Sequence, residues 1–401
     1  MTEHRRIRVE SALPMSSGVN RSLLAAALAR NPGSPVLRRR LAFHAMMADA
    51  FDETLALLSD LPASERNFED CLTTARAHLS FETPGNDALA RDAADEAVRL
   101  ADDDQQRAAA LADRGKAEVR LGEIERARAT LQRALDLNPF DKNACKRLAS
   151  LLLKAGDVRE VLALTERLGA TGSRHARALA ARTLALAKLG DIEGARANVN
   201  RPLFGQRQQL PTPAGWPSLE AFNTALAEEL LAHPGLRYDR YGTASERTWR
   251  IDEPLAGDRP LMNTLVDGLS EVVERHIAQL PDSDHPWIAA RPGNGILHSW
   301  CVITESTGFE TWHVHPFGWM SGVYYVHVPD SIADGDDEGG CLAFGLPADD
   351  VGQAASNAYG LEIERPRSGS VLTFPSHAYH RTFPHGLSER RICVAFDIWP
   401  E

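Results

Sequence analysis

The chain has 401 residues, and at about 100–200 residues per domain it is long enough for two or three separately folded cores. Apolar residues make up 43% and charged residues 25%, the balance of an ordinary soluble globular protein, which excludes a fibre or an extended disordered chain. The net charge of −11 argues against a nucleic-acid surface, because phosphate contacts need clustered Lys and Arg.

Residues 1–20 carry basic side chains with no apolar segment behind them, and read as a flexible N-terminus without an export signal. The run Arg38-Arg39-Arg40 reads as a solvated helix face. Cys71, Cys145, Cys301, Cys341 and Cys393 are scattered without a CxxC pair, so neither a disulfide framework nor a zinc ribbon is expected. No stretch approaches the roughly 18 uninterrupted apolar residues of a membrane span. A cytoplasmic protein without membrane or nucleic-acid partners is the expectation; the composition is silent on oligomeric state.

From 21 to 200 the sequence is rich in Ala, Leu, Arg and Glu, with apolar residues at helical spacing. Gly122, Gly156 and Gly190 follow one another at 34-residue intervals, each in an Ala/Leu-Gly-Asp/Glu junction. An antiparallel helix pair needs a tight turn there, where glycine escapes the Cβ clash, and small residues such as Ala127 and Ala195 where helices cross closely. Asn138-Pro139 closes a repeat; the stretch around Asp49 looks like a degenerate earlier copy, and the one around Pro84 like another with an irregular insertion. The pattern resembles tetratricopeptide repeats, which implies an α-solenoid with a concave groove able to hold a protein or peptide.

Residues 201–217, rich in Pro, Gln and Gly, read as a linker. Amphipathic helices are expected at 218–231, capped by Ser218 with Glu220 in its first turn, and at 260–280. After Pro286 short alternating runs (ILHSWCVI, SGVYYVHVP, CLAFG, SVLTFP, RICVAFDIW) are separated by Gly, Pro and Asp, the signature of an all-β sandwich or barrel. The expected domains are thus 1–20, 21–200, 201–217 and 218–401.

His313 and His315, in TWHVHP, point to one face if the segment is extended. His380, in FPSHAYHRTFP, follows an expected strand over 371–374 and in a rolled sheet can reach the same interior. A metal centre needs ligands converging from different strands with an open position left for chemistry. His298, His327, His377 and His385 read as structural or surface residues, Tyr324 as sheet core, Trp312 and Trp319 as packing or pocket walls, and the acidic run 334–338 as a solvated loop.

Together, His313, His315 and Pro316, the run 318–326 with Pro329, Phe374-Pro375-Ser376, His380 and Glu389-Arg390-Arg391 resemble the 2-oxoglutarate and Fe(II) dependent oxygenases, over about 216–401. The resemblance implies a double-stranded β-helix (jelly roll) with supporting helices, giving a multidomain α + β chain. It also implies Fe(II) held by histidines, 2-oxoglutarate as cosubstrate, dioxygen as oxidant, and an Arg near the distal histidine gripping the far carboxylate of 2-oxoglutarate. A planar guanidinium suits that bidentate task. Strand alternation puts Arg391 with Cys393 and Ala395 on a small, polar face and Arg390 with Ile392, Val394 and Phe396 on the other, so Arg391 is the expected anchor. Tyr325 and Ser321, in step along their strand, are further cosubstrate-contact candidates.

Most such oxygenases carry Asp or Glu two residues after the first histidine, where this chain has His315. Either His315 completes a three-histidine site, or a carboxylate such as Asp330 or Glu338 is recruited. The favoured expectation is a dioxygenase hydroxylating a protein or peptide presented by the repeats. A cupin-like three-histidine dioxygenase acting on a small molecule without 2-oxoglutarate, and a non-catalytic interaction scaffold, stand as alternatives.

Overall fold

The computed structural model describes residues 6–401, and divides them into two compact units: Ser17–Ser173, and residues 6–16 together with Arg174–Glu401.

The first unit is a run of helix hairpins. Pro35–Met47 pairs with Phe51–Ser59, Phe68–Leu79 with Pro84–Leu100, Asp104–Arg120 with Ile124–Leu137, and Lys142–Ala155 with Val158–Ala170. Gly122 and Gly156 hold the turns at φ 77° and 86°, the left-handed region where a side chain is strained. In the two earlier hairpins that conformation falls to Asp49 and Glu82, which is why those copies lack the glycine signal. The stretch around Pro84 is no insertion: Thr83 accepts from the Asn86 N–H and caps a 17-residue helix that Pro84 begins. Small residues line the crossings, with Ala94, Ala117 and Ala127 fully buried. This is the α-solenoid, tetratricopeptide-like architecture expected.

The second unit is built on strands β1 (Ile7–Val9), β2 (Gln206–Gln209), β3 (Arg237–Tyr238), β4 (Ser245–Glu246), β5 (Trp249–Ile251), β6 (Gly295–Thr304) and β7 (Phe309–Glu310). They are followed by β8 (Met320–His327), β9 (Leu342–Phe344), β10 (Glu362–Glu364), β11 (Ser370–Pro375), β12 (His380–Thr382) and β13 (Arg391–Pro400). The large sheet runs β2-β11-β8-β13-β6-β5-β3, with β1 joining β6; β10-β9-β12 form the small sheet, and β4 pairs with β7. This is the double-stranded β-helix. One face of the large sheet, with Leu297, Tyr324, Val394, Phe396 and Ile398, packs on helices Leu219–Leu231 and Pro260–Gln279 through Phe222, Leu226, Leu265 and Leu269. The other face, with Val302, Val323, Tyr325 and Leu372, meets Leu342 and Phe344 of the small sheet. Both supporting helices stand where expected, and Ser218 caps the first by accepting from the Ala221 N–H.

Three segments differ from the sequence expectation. Within the N-terminal 20 residues, 1–5 lie outside the described residues, but β1 pairs in parallel with β6, Ile7 is buried and its N–H donates to Glu274 at 2.7 Å. Three residues are too few to show a period. The stretch 201–217 is not a free linker: Arg201–Phe204 is a helical turn, and β2 pairs with β11, hiding its edge. Gln206, Arg207 and Gln208 meet polar partners instead of a core, so β2 shows no apolar alternation. Finally, the hairpin of the third glycine, Gly190 at φ 87°, belongs to the second unit. Its helices Ala176–Lys188 and Ile192–Val199 contact Ala348–Val351 and Gln353–Tyr359, Lys188 donates to the Asp350 carbonyl, and Asn198 offers its carbonyl to His377 Nε2 at 2.9 Å.

No helix among the described residues is long and apolar enough to cross a membrane. None of the five cysteines, all described and buried, forms a disulfide.

Candidate metal centre

His313 and His380 meet across the mouth of the two sheets as a bridged antiparallel pair. Each backbone N–H donates to the other's carbonyl, at 3.0 and 3.1 Å. His315 is tied to the same hairpin by its N–H, which donates to the Ser376 carbonyl at 3.0 Å. Ring centroids lie 4.1 Å apart for His313–His380, 4.9 Å for His315–His380 and 5.3 Å for His313–His315. One ligating nitrogen from each of the three falls within 4.8 Å of the others.

In each ring Nδ1 is already engaged. That of His313 lies 2.7 Å from the Thr311 carbonyl, that of His380 2.9 Å from the Ala378 carbonyl, and that of His315 2.6 Å from Asp397 Oδ1. An Nδ1–H that donates fixes the tautomer and leaves Nε2 with its lone pair for a metal, the outer-shell arrangement of metal-bound imidazoles. Burial drives the His313 pKa down to about 4 although Glu310 opposes it, and burial with the two neighbouring imidazoles drives His380 well below the usual histidine value. Both rings are neutral at pH 7, as ligation requires. Three imidazoles converging in one cavity fit Fe(II), and an octahedral ion held by three nitrogens would keep three positions open.

The cavity they face is lined by Trp300, Val323, Leu342 and Phe374 on its apolar side, and by Glu310, Tyr325, Thr382, Arg391 and Cys393 on its polar side. Arg391 is 2% exposed; it donates to the Gly340 carbonyl at 2.5 Å, while its Nε has no partner among the described residues. A buried guanidinium nitrogen left without an acceptor is costly, and a ligand carboxylate in the cavity would satisfy it. Cys393 and Ala395 line the cavity with Arg391, whereas Ile392, Val394 and Phe396 enter the core beneath. Arg390 turns outward and pairs with Glu305 at 2.8 Å. The Tyr325 ring lies 6.0 Å from the Arg391 guanidinium, and burial raises its phenol pKa, so it stays a neutral donor.

Ser321 is absent from the cavity wall: its hydroxyl donates to Asp397 at 2.6 Å and lies 2.7 Å from Ser376 Oγ. Asp330 and Glu338 are exposed and line no part of the cavity. The carboxylates that do approach the imidazoles are two others. Glu310 Oε2 stands 3.8 Å from His313 Nε2, with Glu310 Oε1 accepting from the Ser245 hydroxyl. Asp397 stands behind His315, its carboxyl held below the usual range by that imidazole and the Ser321 hydroxyl against the opposing effect of burial. The alternation that groups Arg391, Cys393 and Ala395 reaches Asp397 two residues further on, a signal present in the sequence. Glu310 has no such signal, because β7 is only two residues long.

Of the other histidines, His298 pairs with Glu10, His327 with Glu389, His377 with the Asn198 carbonyl, and His385 lies near Thr304. None lines the cavity. Trp319 is core: it stacks on Trp287 at 4.5 Å, and each indole N–H donates to the other's carbonyl.

Residues 298–397 match the family model described as "Putative 2OG-Fe(II) oxygenase". Similar solved structures include a prolyl-4-hydroxylase of Pseudomonas putida, at 17% identity over 51% of this chain and 98% of that one, TM-score 0.33. Another is the non-heme alpha ketoglutarate dependent epimerase SnoN from nogalamycin biosynthesis, at 15% identity over 53% and 84%, TM-score 0.35. A thermophilic TPR protein of Thermus thermophilus matches at 24% identity over 38% of this chain and 81% of that one, TM-score 0.32. No curated protein matches the chain. The segment that carries His313, His315, His380, Arg391 and Asp397 is therefore a domain of the 2OG-Fe(II) oxygenase family, at the C-terminal end of a chain whose N-terminal part is tetratricopeptide-like.

Proposed function

We propose that the protein is a 2-oxoglutarate- and Fe(II)-dependent dioxygenase that hydroxylates a protein or peptide recognised by its repeat array. One observation carries the reading: three imidazoles, two from residues 313 and 315 and one from residue 380, each engaged at Nδ1, line a cavity that also contains a buried, incompletely satisfied Arg391.

In this reading His313, His315 and His380 hold the iron. Bound there with 2-oxoglutarate, it supplies the dioxygen chemistry in which the cosubstrate loses carbon dioxide to become succinate and a substrate C–H becomes C–OH. Arg391 grips the far carboxylate of the cosubstrate, with the neutral Tyr325 phenol as a second donor. Trp300, Leu342 and Phe374 keep bulk water from the reacting face, which strengthens every electrostatic contact inside. The repeat array supports a macromolecular substrate, since stacked helix hairpins present extended surfaces for peptides.

The test is anaerobic addition of Fe(II) and 2-oxoglutarate, following the weak visible charge-transfer band of the chelate. The band is expected in the wild type and in Arg390→Ala, and is expected to vanish, or to need at least about tenfold more 2-oxoglutarate, in Arg391→Ala. No band in the wild type overturns the reading. A second reading is favoured by His315 itself, which stands where a carboxylate is usual: a three-histidine dioxygenase needing no cosubstrate. Iron-dependent turnover indifferent both to 2-oxoglutarate and to Arg391→Ala would select it.

A further inference from the structure

We infer that Asp397 supplies to the iron, through His315, the negative charge that a directly bound carboxylate supplies in a two-histidine, one-carboxylate site. The inference rests on the oxygenase reading above, and makes Asp397 a positioning residue that never touches the metal.

The three imidazoles are not held alike. His313 and His380 hydrogen-bond backbone carbonyls through Nδ1, and both acceptors are neutral. Of the three Nδ1 atoms only that of His315 meets a carboxylate, at 2.6 Å; the Glu310 carboxylate lies on the opposite, Nε2 side of His313. An Nδ1–H donating to an anion makes Nε2 a more electron-rich donor than one donating to an amide. The imidazole that replaces the usual carboxylate is thus the one backed by a charge. Displacing the charge one residue outward leaves three coordination positions free, whereas recruiting a fourth protein ligand would take one of them.

Asp397 is a buried carboxylate whose ionisable neighbours are imidazoles, His315 at 2.6 Å and His298 opposite it on β6. It is 4% exposed, and among the described residues its side chain bonds to His315 and to the Ser321 hydroxyl, with no Lys or Arg in reach. A buried carboxylate is stabilised by any positive charge brought close to it. A divalent ion on the far nitrogen of His315 would add such a charge on the other side of the same ring. The surroundings are shaped around the carboxylate as well: a Cβ on Gly318 would stand 2.5 Å from Ser376 Oγ and 3.0 Å from the Asp397 carboxyl carbon, so only glycine lets the chain pass there.

The experiment is a titration of the full-length protein with Co(II), read by its visible absorption, on the wild type, Asp397→Asn, Ser321→Ala and His380→Ala. Asn keeps the shape and an acceptor oxygen and removes only the charge. Asp397→Asn is expected to bind Co(II) about 10- to 100-fold more weakly. In the iron form it is expected to show a raised Fe(III)/Fe(II) potential, because losing a negative charge favours the ferrous ion. Ser321→Ala, which retains the carboxylate, should stay within about threefold of the wild type, and His380→Ala should lose the site. Asp397→Asn with affinity within twofold of the wild type and an unmoved potential overturns the inference and leaves the oxygenase reading standing. A wild type that binds neither Co(II) nor Fe(II) rejects both. Should Asp397→Asn not fold, nitrogen-edited NMR of the wild-type Zn(II) form decides: His315 Nδ1 is expected to carry a far-downfield, slowly exchanging proton, and its absence overturns the inference.

Discussion

The two units are held together over different distances along the chain. In the repeat unit the ion pairs join neighbouring hairpins: Arg39–Asp70, Arg76–Asp113, Arg91–Glu123 and Arg128–Glu160 span 31, 37, 32 and 32 residues, about one repeat each. In the oxygenase unit the decisive contacts are remote, 82 residues for His315 to Asp397, 179 for His377 to Asn198 and 267 for Ile7 to Glu274. A repeat array therefore absorbs an injury within a hairpin or two, whereas the β-helix gathers its site from every part of its sequence, so that an injury to one strand is felt at the metal.

The largest test of that contrast is Asp113→Ala. Asp113 is buried between Arg76 and Arg147, and removing it takes the partner from the largely buried Arg147, while the half-exposed Arg76 can turn to water, at a cost of about 3 kcal/mol to the repeat unit. The loss is expected in the helical circular-dichroism melt, with Co(II) affinity at the histidine site unchanged. A smaller effect with a wider reach is expected from Gly322→Ala, between β11 and β13. Its Cβ would stand 2.3 Å from the Phe396 ring and 2.8 Å from the Leu372 carbonyl, neither of which can yield freely. Overpacking of this kind costs about 1–3 kcal/mol; here it should lower the stability of the oxygenase unit and weaken Co(II) binding together. Loss of stability without loss of metal affinity would refute the idea that strand packing and the site are coupled.

A third test is acid. Burial lowers the pKa of His233, His276, His313 and His377 to about 4, all in the oxygenase unit, from an unfolded value near 6.5. Between those values the unfolded chain binds more protons than the folded one, so stability falls as pH drops through that window, by at most about 1.4 kcal/mol per pH unit for each group. In the repeat unit Asp113 has a lowered pKa, so its contribution persists until pH falls below the ordinary carboxylate range. Metal-free protein taken from pH 7 to 5 should therefore lose the oxygenase transition first. A parallel fall of both transitions would count against the assignment of these buried neutral histidines.

What the sequence discloses follows the same division. The glycine period is legible because each turn is a local event whose backbone needs φ > 0. The histidine set is legible because an i, i+2 pair fixes a shared face wherever the segment is extended, and Arg391 because β13 keeps its alternation although its register with β8 shifts between Ile392 and Cys393. Strands β1 and β2 escape because one is three residues long and the other is an edge strand with polar contacts. The alternation of β13 puts Asp397 on the face of Arg391, but its bond to His315, 82 residues away, follows from no spacing rule. Glu310 is hidden similarly, since what makes it notable is the nitrogen 3.8 Å away.

The path of β1 bears on how the chain can be divided. Because residues 6–16 and Arg174–Glu401 form one unit, the repeats are an insertion within the oxygenase, not a leader ahead of it. Deleting everything before residue 201 would excise β1 from beside β6 and strip His377 of the Asn198 carbonyl, three residues from His380. An intact oxygenase without its array is better sought by splicing residue 16 to residue 174 than by trimming from the front.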